Sequence, residues 1–267
     1  METSRFLQTH RVFSLDEAVQ GLDPAGGRKA VLERLKYAAR RGRVKTLARG
    51  VYASIPPDTD PAAFRPDPFL AAATLRPDAV FSHHSALELL GAAHSLWRRC
   101  TAYSTRRSQR FTLDGLELHF LSYPEALVRQ GVFDLGRRSV YRFDRELRVT
   151  GPERTLIDGF RQPDRVGGLA ELVESAAGLP VLELPLLFDL LHAYRQKVLW
   201  AAVGWFLETY RETFFVGEED LARIEQHVPK APQYLARDER GGVLVRRWNL
   251  IVPDSLDMGR EPDESEP

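Results

Sequence analysis

The stretch RKAVLERLKYAARRGRVKTLAR, residues 28–49, sets nine cations, Arg28, Lys29, Arg34, Lys36, Arg40, Arg41, Arg43, Lys45 and Arg49, against one acid, Glu33. The window therefore carries +8 inside a formally neutral chain, and the other 245 residues carry −8. Cations gathered on one face gain free energy by displacing counterions from phosphates, so this separation is the footprint of a nucleic-acid surface. The same residues have the grammar of a helix followed by a hairpin. Val31, Leu32, Leu35, Ala38 and Ala39 recur at helical spacing, and at about 100° per residue Lys29, Glu33, Lys36, Tyr37 and Arg40 leave from the opposite side. Gly42 is placed to stop the helix. Residues 43–47 then alternate polar and apolar, and Arg49-Gly50 turns into Val51-Tyr52-Ala53-Ser54-Ile55.

Upstream, Ser14 and Glu17 have capping-box spacing, which predicts a helix from about Leu15 to Gly21, and Asp23-Pro24-Ala25-Gly26-Gly27 breaks it. Residues 1–55 thus read as helix, turn, helix and two-stranded wing, a winged helix-turn-helix. In such a fold the second helix enters the major groove. Arg28, Lys29, Lys36 and Arg40 are assigned to that groove helix and Arg43, Lys45 and Arg49 to the wing, with Arg34 and Arg41 completing the DNA-binding set.

Downstream, residues 56–67 hold a proline- and aspartate-rich connector that continues neither strand nor helix, and a domain boundary is expected there. Residues 68–253 alternate short strands and helices up to Thr150, then turn helical, with Glu153–Phe160, Leu169–Ala177, Leu184–Tyr194 and Lys197–Arg211 as helices and Val243–Val252 as one final strand. The expected class is α/β (α+β): an N-terminal winged helix followed by a larger mixed α/β domain. Residues 254–267 read as an acidic, disordered tail; from Pro253 onward there are six acids against Arg260 alone.

The chemistry-bearing motifs favour a binding protein over an enzyme. A single cysteine, Cys100, excludes an intrachain disulfide and a cysteine-rich zinc site, and the seven histidines show no ligand spacing, so neither metal nor cofactor is expected. Ser82-His83-His84-Ser85 lacks a positioned acid, and Ser85 reads as a helix N-cap. Arg154 and Asp158, at i and i+4, read as a stabilising pair, with Glu153 favoured by the helix dipole. Asp144 and Glu146 with Arg148 make no convincing metal site. A second basic cluster, Arg98, Arg99, Arg106, Arg107 and Arg110, fits an extension of the DNA surface, a seat for an acidic partner or for the chain's own acidic tail, or a solvated loop. The longest apolar runs are broken by prolines and acids, so no membrane span is expected, and a cytoplasmic location is.

Across nearly its whole length the chain resembles the AbiEi family of antitoxins. The resemblance rests on Arg40-Arg41-Gly42-Arg43 with Arg49-Gly50-Val51-Tyr52, Asp67-Pro68-Phe69-Leu70, Pro77-Asp78-Ala79-Val80, His84-Ser85-Ala86-Leu87-Glu88 ending at Gly91, Val149-Thr150 with Glu153 to Asp158, Gly167-Gly168, Val203-Gly204-Trp205-Phe206-Leu207-Glu208 and Trp248 to Pro253. It implies a winged helix that represses its own operon at inverted repeats in double-stranded DNA, as a monomer or weak dimer. It also implies a C-terminal domain that counters a nucleotidyltransferase toxin, abortive infection of phage-infected cells being the setting, with no enzymatic activity. Rival readings are a nuclease fused to a winged helix, and a solitary regulator whose large domain binds a ligand or protein.

Overall fold

In the computed structural model, α1 (Thr3–Thr9) leads into β1 (Val12–Ser14) and α2 (Leu15–Leu22). Ser14 and Glu17 close the capping box between them. The Ser14 N–H donates to Glu17 Oε2 at 2.6 Å and the Glu17 N–H to Ser14 Oγ at 3.1 Å, which gives partners to amides a helix start leaves open. Then comes α3 (Gly27–Arg40), which buries Val31, Leu35 and Ala38 as their spacing requires. It ends at Gly42, whose φ of +67° is the left-handed conformation of a Schellman stop: the Arg43 N–H reaches Ala38 O at 2.9 Å and the Gly42 N–H reaches Ala39 O at 3.0 Å. A hairpin of β2 (Val44–Ala48) and β3 (Val51–Ser54) adds to β1, giving a three-stranded antiparallel sheet in the order β1-β3-β2. Phe6, Phe13, Leu15, Ala18, Leu22, Val31, Leu35 and Val44 form the core beneath it. Each large apolar member contributes about 1.5–3 kcal/mol by burial.

The described residues are 3–22, 26–113, 115–143, 145–236 and 241–256. Packing divides the chain into two units, the first made of Met1–Phe81, Trp97–Tyr123 and Arg138–Val149, the second of the rest. The expected cut at residues 56–67 is not where packing divides the chain. Past the connector, α4 (Pro68–Leu75), capped by Asp67 and buried at Phe69, Leu70, Ala71 and Ala72, returns to pack on β1 and β3. Arg145 joins the same unit, donating to Glu17 Oε1 at 2.5 Å and to Thr74 Oγ1 at 2.6 Å. α4 also packs on the second sheet of this unit, built from β4 (Val80–Phe81), β5 (Arg99–Tyr103), β6 (Gln109–Leu113), β7 (Leu116–Leu121), β8 (Arg137–Arg142) and β9 (Arg145–Thr150). The order is β6-β7-β5-β4-β9-β8. β5 runs parallel to β7 and β4 to β9, while β6 is antiparallel to β7 and β4 to β5. The sheet is therefore mixed, and the protein is mixed α/β.

The second unit is mostly helical, with α5 (His84–Leu89), α6 (Glu125–Arg129), α7 (Pro152–Arg161), α8 (Leu169–Ala177), α9 (Leu184–Tyr194), α10 (Lys197–Thr209) and α11 (Glu218–Glu225). Leu156, Ile157, Phe160, Leu172, Leu187, Leu190, Val203, Phe206 and Trp248 are its centre. Residues 243–252 are not the single strand their apolar pattern suggests. They form β11 (Val243–Val245), a 3₁₀ turn (Arg246–Trp248) and β12 (Leu250–Val252); β12 pairs antiparallel with β11 and parallel with β10 (Gln233–Tyr234). The turn is held by Trp248, which is fully buried against the bare face of Gly204, and by Asn249, at φ +46°. Arg247 fixes it from outside by donating to Glu208, Glu218 and Glu225 at 3.0, 2.5 and 3.1 Å, which pushes its own pKa up. Ser85 is not an N-cap either. Helix α5 starts two residues earlier than that cap would place it, so His83, at φ +54°, occupies the cap and Ser85 is buried in the first turn. At the other end of the tail region, Asp254–Leu256 forms a 3₁₀ turn with Leu256 buried, and the rest of the expected acidic tail lies outside the described residues, as does Asp144.

Candidate nucleic-acid interface

An outward face of α3 follows from its inward one. With Val31, Leu35 and Ala38 buried, Arg28, Lys29, Arg34, Lys36, Arg40 and Arg41 are all exposed, as are Arg43 and Arg49 beyond the helix. Two of these cations have a carboxylate partner on the surface: Arg28 meets Asp16, and Lys36 meets Glu33 at 2.8 Å. The Lys36 hydrogen bond and charge hold the Glu33 carboxyl below its usual range, with Arg40 and Lys29 adding to the same effect. Arg41 leans back on its own helix, its guanidinium 5.4 Å from the Tyr37 ring centroid and its Nε donating to Tyr37 Oη at 3.2 Å. A groove of about 650 Å³ runs along this face between Thr3, Arg34, Tyr37 and Arg43.

The hairpin departs from the wing that the sequence suggests. Ser14 pairs with Val51 and the Leu15 N–H donates to Gly50 O at 2.8 Å, so the Arg49-Gly50 turn lies level with the end of β1 instead of projecting past it. Arg49 alone of the three assigned wing cations sits at the tip. Arg43 turns to α1, donating to Ser4 Oγ at 3.0 Å, and Lys45 is half-buried with Nζ on the Phe64 carbonyl at 3.3 Å.

Sequence reasoning did not see how far the positive charge extends. Assigned by packing unit, the first unit holds 22 lysines and arginines against 13 acids, a net +9, and the second 15 against 24, a net −9. Arg98, Arg99, Arg106, Arg107 and Arg110 all lie in the first unit and are exposed. The loop that carries Arg106 and Arg107 is tied down by Asp78, whose Oδ2 accepts from Ser104 Oγ at 2.7 Å and from the Thr105 N–H and Oγ1, both at 2.8 Å. These bonds hold its carboxyl down at about 2 against the opposing effect of burial. Arg5, Arg11 and Arg65 add to this unit from outside the basic window. Nothing in a linear reading marks these three, because each stands alone in sequence; the unit's total is hidden because it is assembled from three separated segments.

The other motif that drew attention in the sequence lies in the second unit and is sealed from solvent. Ser82, His83, His84, Ser85, Glu153, Arg154 and Asp158 are each at most 1% exposed. His83 shares a hydrogen bond with Ser82 Oγ at 2.9 Å through Nδ1 and with Gln162 Oε1 at 3.2 Å through Nε2, and burial pushes its pKa down to about 4. Asp158 receives the Tyr194 hydroxyl at 2.7 Å and faces Arg154 and Arg161 at 3.6 and 3.4 Å. The Arg154–Asp158 pair expected from spacing is there. Arg154 also donates to the carbonyls of Phe133 and Leu135 at 2.6 and 3.0 Å, and Glu153 accepts the Glu183 N–H at 2.8 Å, so α7 is tied to loops by its polar side. Among the described residues no group of three or more His, Cys, Asp or Glu is placed to hold a metal, and no helix is long and apolar enough to cross a membrane.

No family model and no curated protein matches the chain significantly. Among solved structures it is similar to a crystal structure of the RV2827C protein from Mycobacterium tuberculosis, with a TM-score of 0.60 and 20% identity over 93% of this chain and 89% of that one. The two share a fold. At that identity the likeness carries no function.

Proposed function

We propose that this protein is a DNA-binding antitoxin and transcriptional autorepressor of the AbiEi kind. In this reading residues 1–55 are a winged helix with α3 as the groove helix. Support comes from the order helix, strand, helix, helix and hairpin about one three-stranded sheet. The observation that carries the reading is the exposed cationic face of α3 on a unit of net +9. Arg28 and Lys29, at the helix start, are best placed for base edges, where an arginine pairs bidentately with guanine. Arg34, Lys36, Arg40, Arg41, Arg43 and Arg49 supply phosphate contacts and hence sequence-independent affinity. Lys45 serves the fold more than the interface. The short hairpin limits wing contact to the phosphate nearest Arg49. The antitoxin half of the proposal rests on the AbiEi resemblance of the blocks from Asp67 to Pro253, the partner being a nucleotidyltransferase toxin and the location cytoplasmic.

Gel-shift titration against the protein's own promoter tests the regulator half. The expected result is saturable binding, tighter than to random duplex and weakening steeply with salt. Binding no tighter than to random DNA would overturn it. Co-expression with the toxin from a neighbouring gene tests the other half, growth rescue being expected.

A further inference from the structure

One cavity of the first unit lies beside the end of α3 and shares Arg41 and Arg43 with the groove along that helix. It encloses about 910 Å³ between α1, the Arg41–Arg43 corner, the connector that follows β3, and Phe143, at the upper end of the range for small-ligand sites. Its walls are of two kinds. Leu7, Ile55, Pro57, Phe64 and Phe143 are apolar, while Arg11, Arg41, Arg43 and Arg65 bring four guanidinium groups. Two acids face them, and one of these, Asp67, has both oxygens engaged, Oδ1 by the Leu70 N–H at 2.9 Å and Oδ2 by Arg142 Nε at 2.6 Å. Arg11, Arg41 and Arg43 form no ion pair with a carboxylate among the described residues.

Two further observations point to a ligand. The Arg11 guanidinium lies over the Phe143 ring, 3.8 Å from its centroid, a stack that a third planar group can extend, since guanidinium and aromatic planes both stack on flat rings. Asp58 and Phe143, both in its lining, hold left-handed backbone at φ +64° and +55°, conformations that non-glycine residues adopt at a cost and that gather at ligand clamps.

We propose that this cavity binds a planar aromatic ring bearing a phosphate, the chemistry of a nucleoside 5′-phosphate, and that its occupancy competes with DNA for Arg41 and Arg43. The ring extends the Arg11–Phe143 stack and the phosphate takes the forked donors of Arg41 and Arg43, which match its geometry bidentately. The competition rests on the proposed DNA surface; the binding does not. A free nucleotide and a DNA backbone phosphate offer the same anion, so the experiment separates them.

Isothermal titration of the full chain is run with AMP, GMP, adenosine and inorganic phosphate, and with Arg11→Gln and Phe143→Ala, each checked for an unchanged thermal melt. One nucleotide binding at least tenfold tighter than both adenosine and phosphate, and at least tenfold weaker to each variant, is the expected result. A nucleotide that binds no tighter than phosphate, or equally well to both variants, overturns the site. If no nucleotide binds while Arg11→Gln weakens duplex binding, the cavity seats a backbone phosphate and the nucleotide assignment fails. With promoter duplex present, saturating nucleotide should raise the apparent Kd for DNA at least threefold; an unchanged Kd overturns the competition. Should no duplex bind specifically while the nucleotide does, the proposed function fails and the cavity assignment stands.

Discussion

Replacing Gly204 with alanine tests the central packing of the second unit, because a Cβ there would lie 2.4, 2.5 and 2.8 Å from Cζ3, Cε3 and Cη2 of Trp248. All three atoms belong to the six-membered ring of the indole. The ring cannot slide away: Trp248 is fully buried and its Nε1–H donates to Glu208 Oε2 at 2.6 Å, one helical turn along from Gly204. Overpacking of this kind costs about 1–3 kcal/mol, and a buried helix facing a pinned ring belongs at the upper end. Alanine returns about 1 kcal/mol of helix propensity, which leaves a net loss of about 2 kcal/mol for Gly204→Ala. Trp248→Phe removes part of the clashing ring, and by itself loses the hydrogen bond and some buried area, for about 2–3 kcal/mol. In the double variant phenylalanine no longer meets the new methyl, so the two losses should fall short of their sum by about 1 kcal/mol or more. Urea unfolding followed by circular dichroism measures all four proteins, with fluorescence recorded in parallel because a chain of two packing units is not bound to unfold in one step. Losses that add within about 0.5 kcal/mol, or a Gly204→Ala variant as stable as the parent, would refute the packing argument.

Other expectations follow from the same structure. His83 is fully buried with its pKa lowered from 6.5 to about 4, first by burial, so the unfolded chain binds a proton that the folded chain refuses. Its contribution is whole above about pH 7 and is lost as pH falls from 6.5 toward 4, by about 3 kcal/mol in all. His84, also shifted down first by burial, adds in the same direction, and a His83→Gln variant should flatten the acid limb of a stability-against-pH curve. Gly42→Ala forces a Cβ onto left-handed backbone and to 2.9 Å from Pro61 Cγ. A loss of about 1–2 kcal/mol is expected, with Gly42→Asn milder since asparagine tolerates that conformation; equal melting points for the two would count against the strain. Arg40→Ala should weaken binding to all duplexes alike and reduce the slope of log K against log salt by about one, read by fluorescence anisotropy at several salt concentrations, whereas Arg28→Ala should relax specificity.

How much could be read beforehand depended on whether neighbours in sequence were neighbours in space. The Ser14–Glu17 box, the Gly42 stop, and helices α8 and α9 are local, and spacing alone placed them. β6 carries little signal in sequence because Gln109-Arg110-Phe111-Thr112-Leu113 is largely polar, as suits an open edge of its sheet. Leu113 pairs with Leu116 across Asp114-Gly115, a dipeptide that signals a hairpin. The break inside residues 243–252 is nonlocal: Trp248 leaves the strand to fill the hollow over Gly204. Of the candidate site, the cationic face of α3 was legible because a 3.6-residue period fixes which side is wet. The direction of Arg43 and Lys45 was not, since Ser4 and the Phe64 carbonyl come from elsewhere in the chain. The charge partition was hidden for the same reason.

The peptide chain passes between the two packing units five times, after residues 81, 96, 123, 137 and 149. On the ribosome, therefore, the cationic unit cannot be finished when its first 81 residues emerge; strands β5 to β9 are still to be made. A nascent chain in that interval exposes positive charge without its complete scaffold. Gene fusion or recombination that lifts out the N-terminal third would likewise separate Glu17 from Arg145.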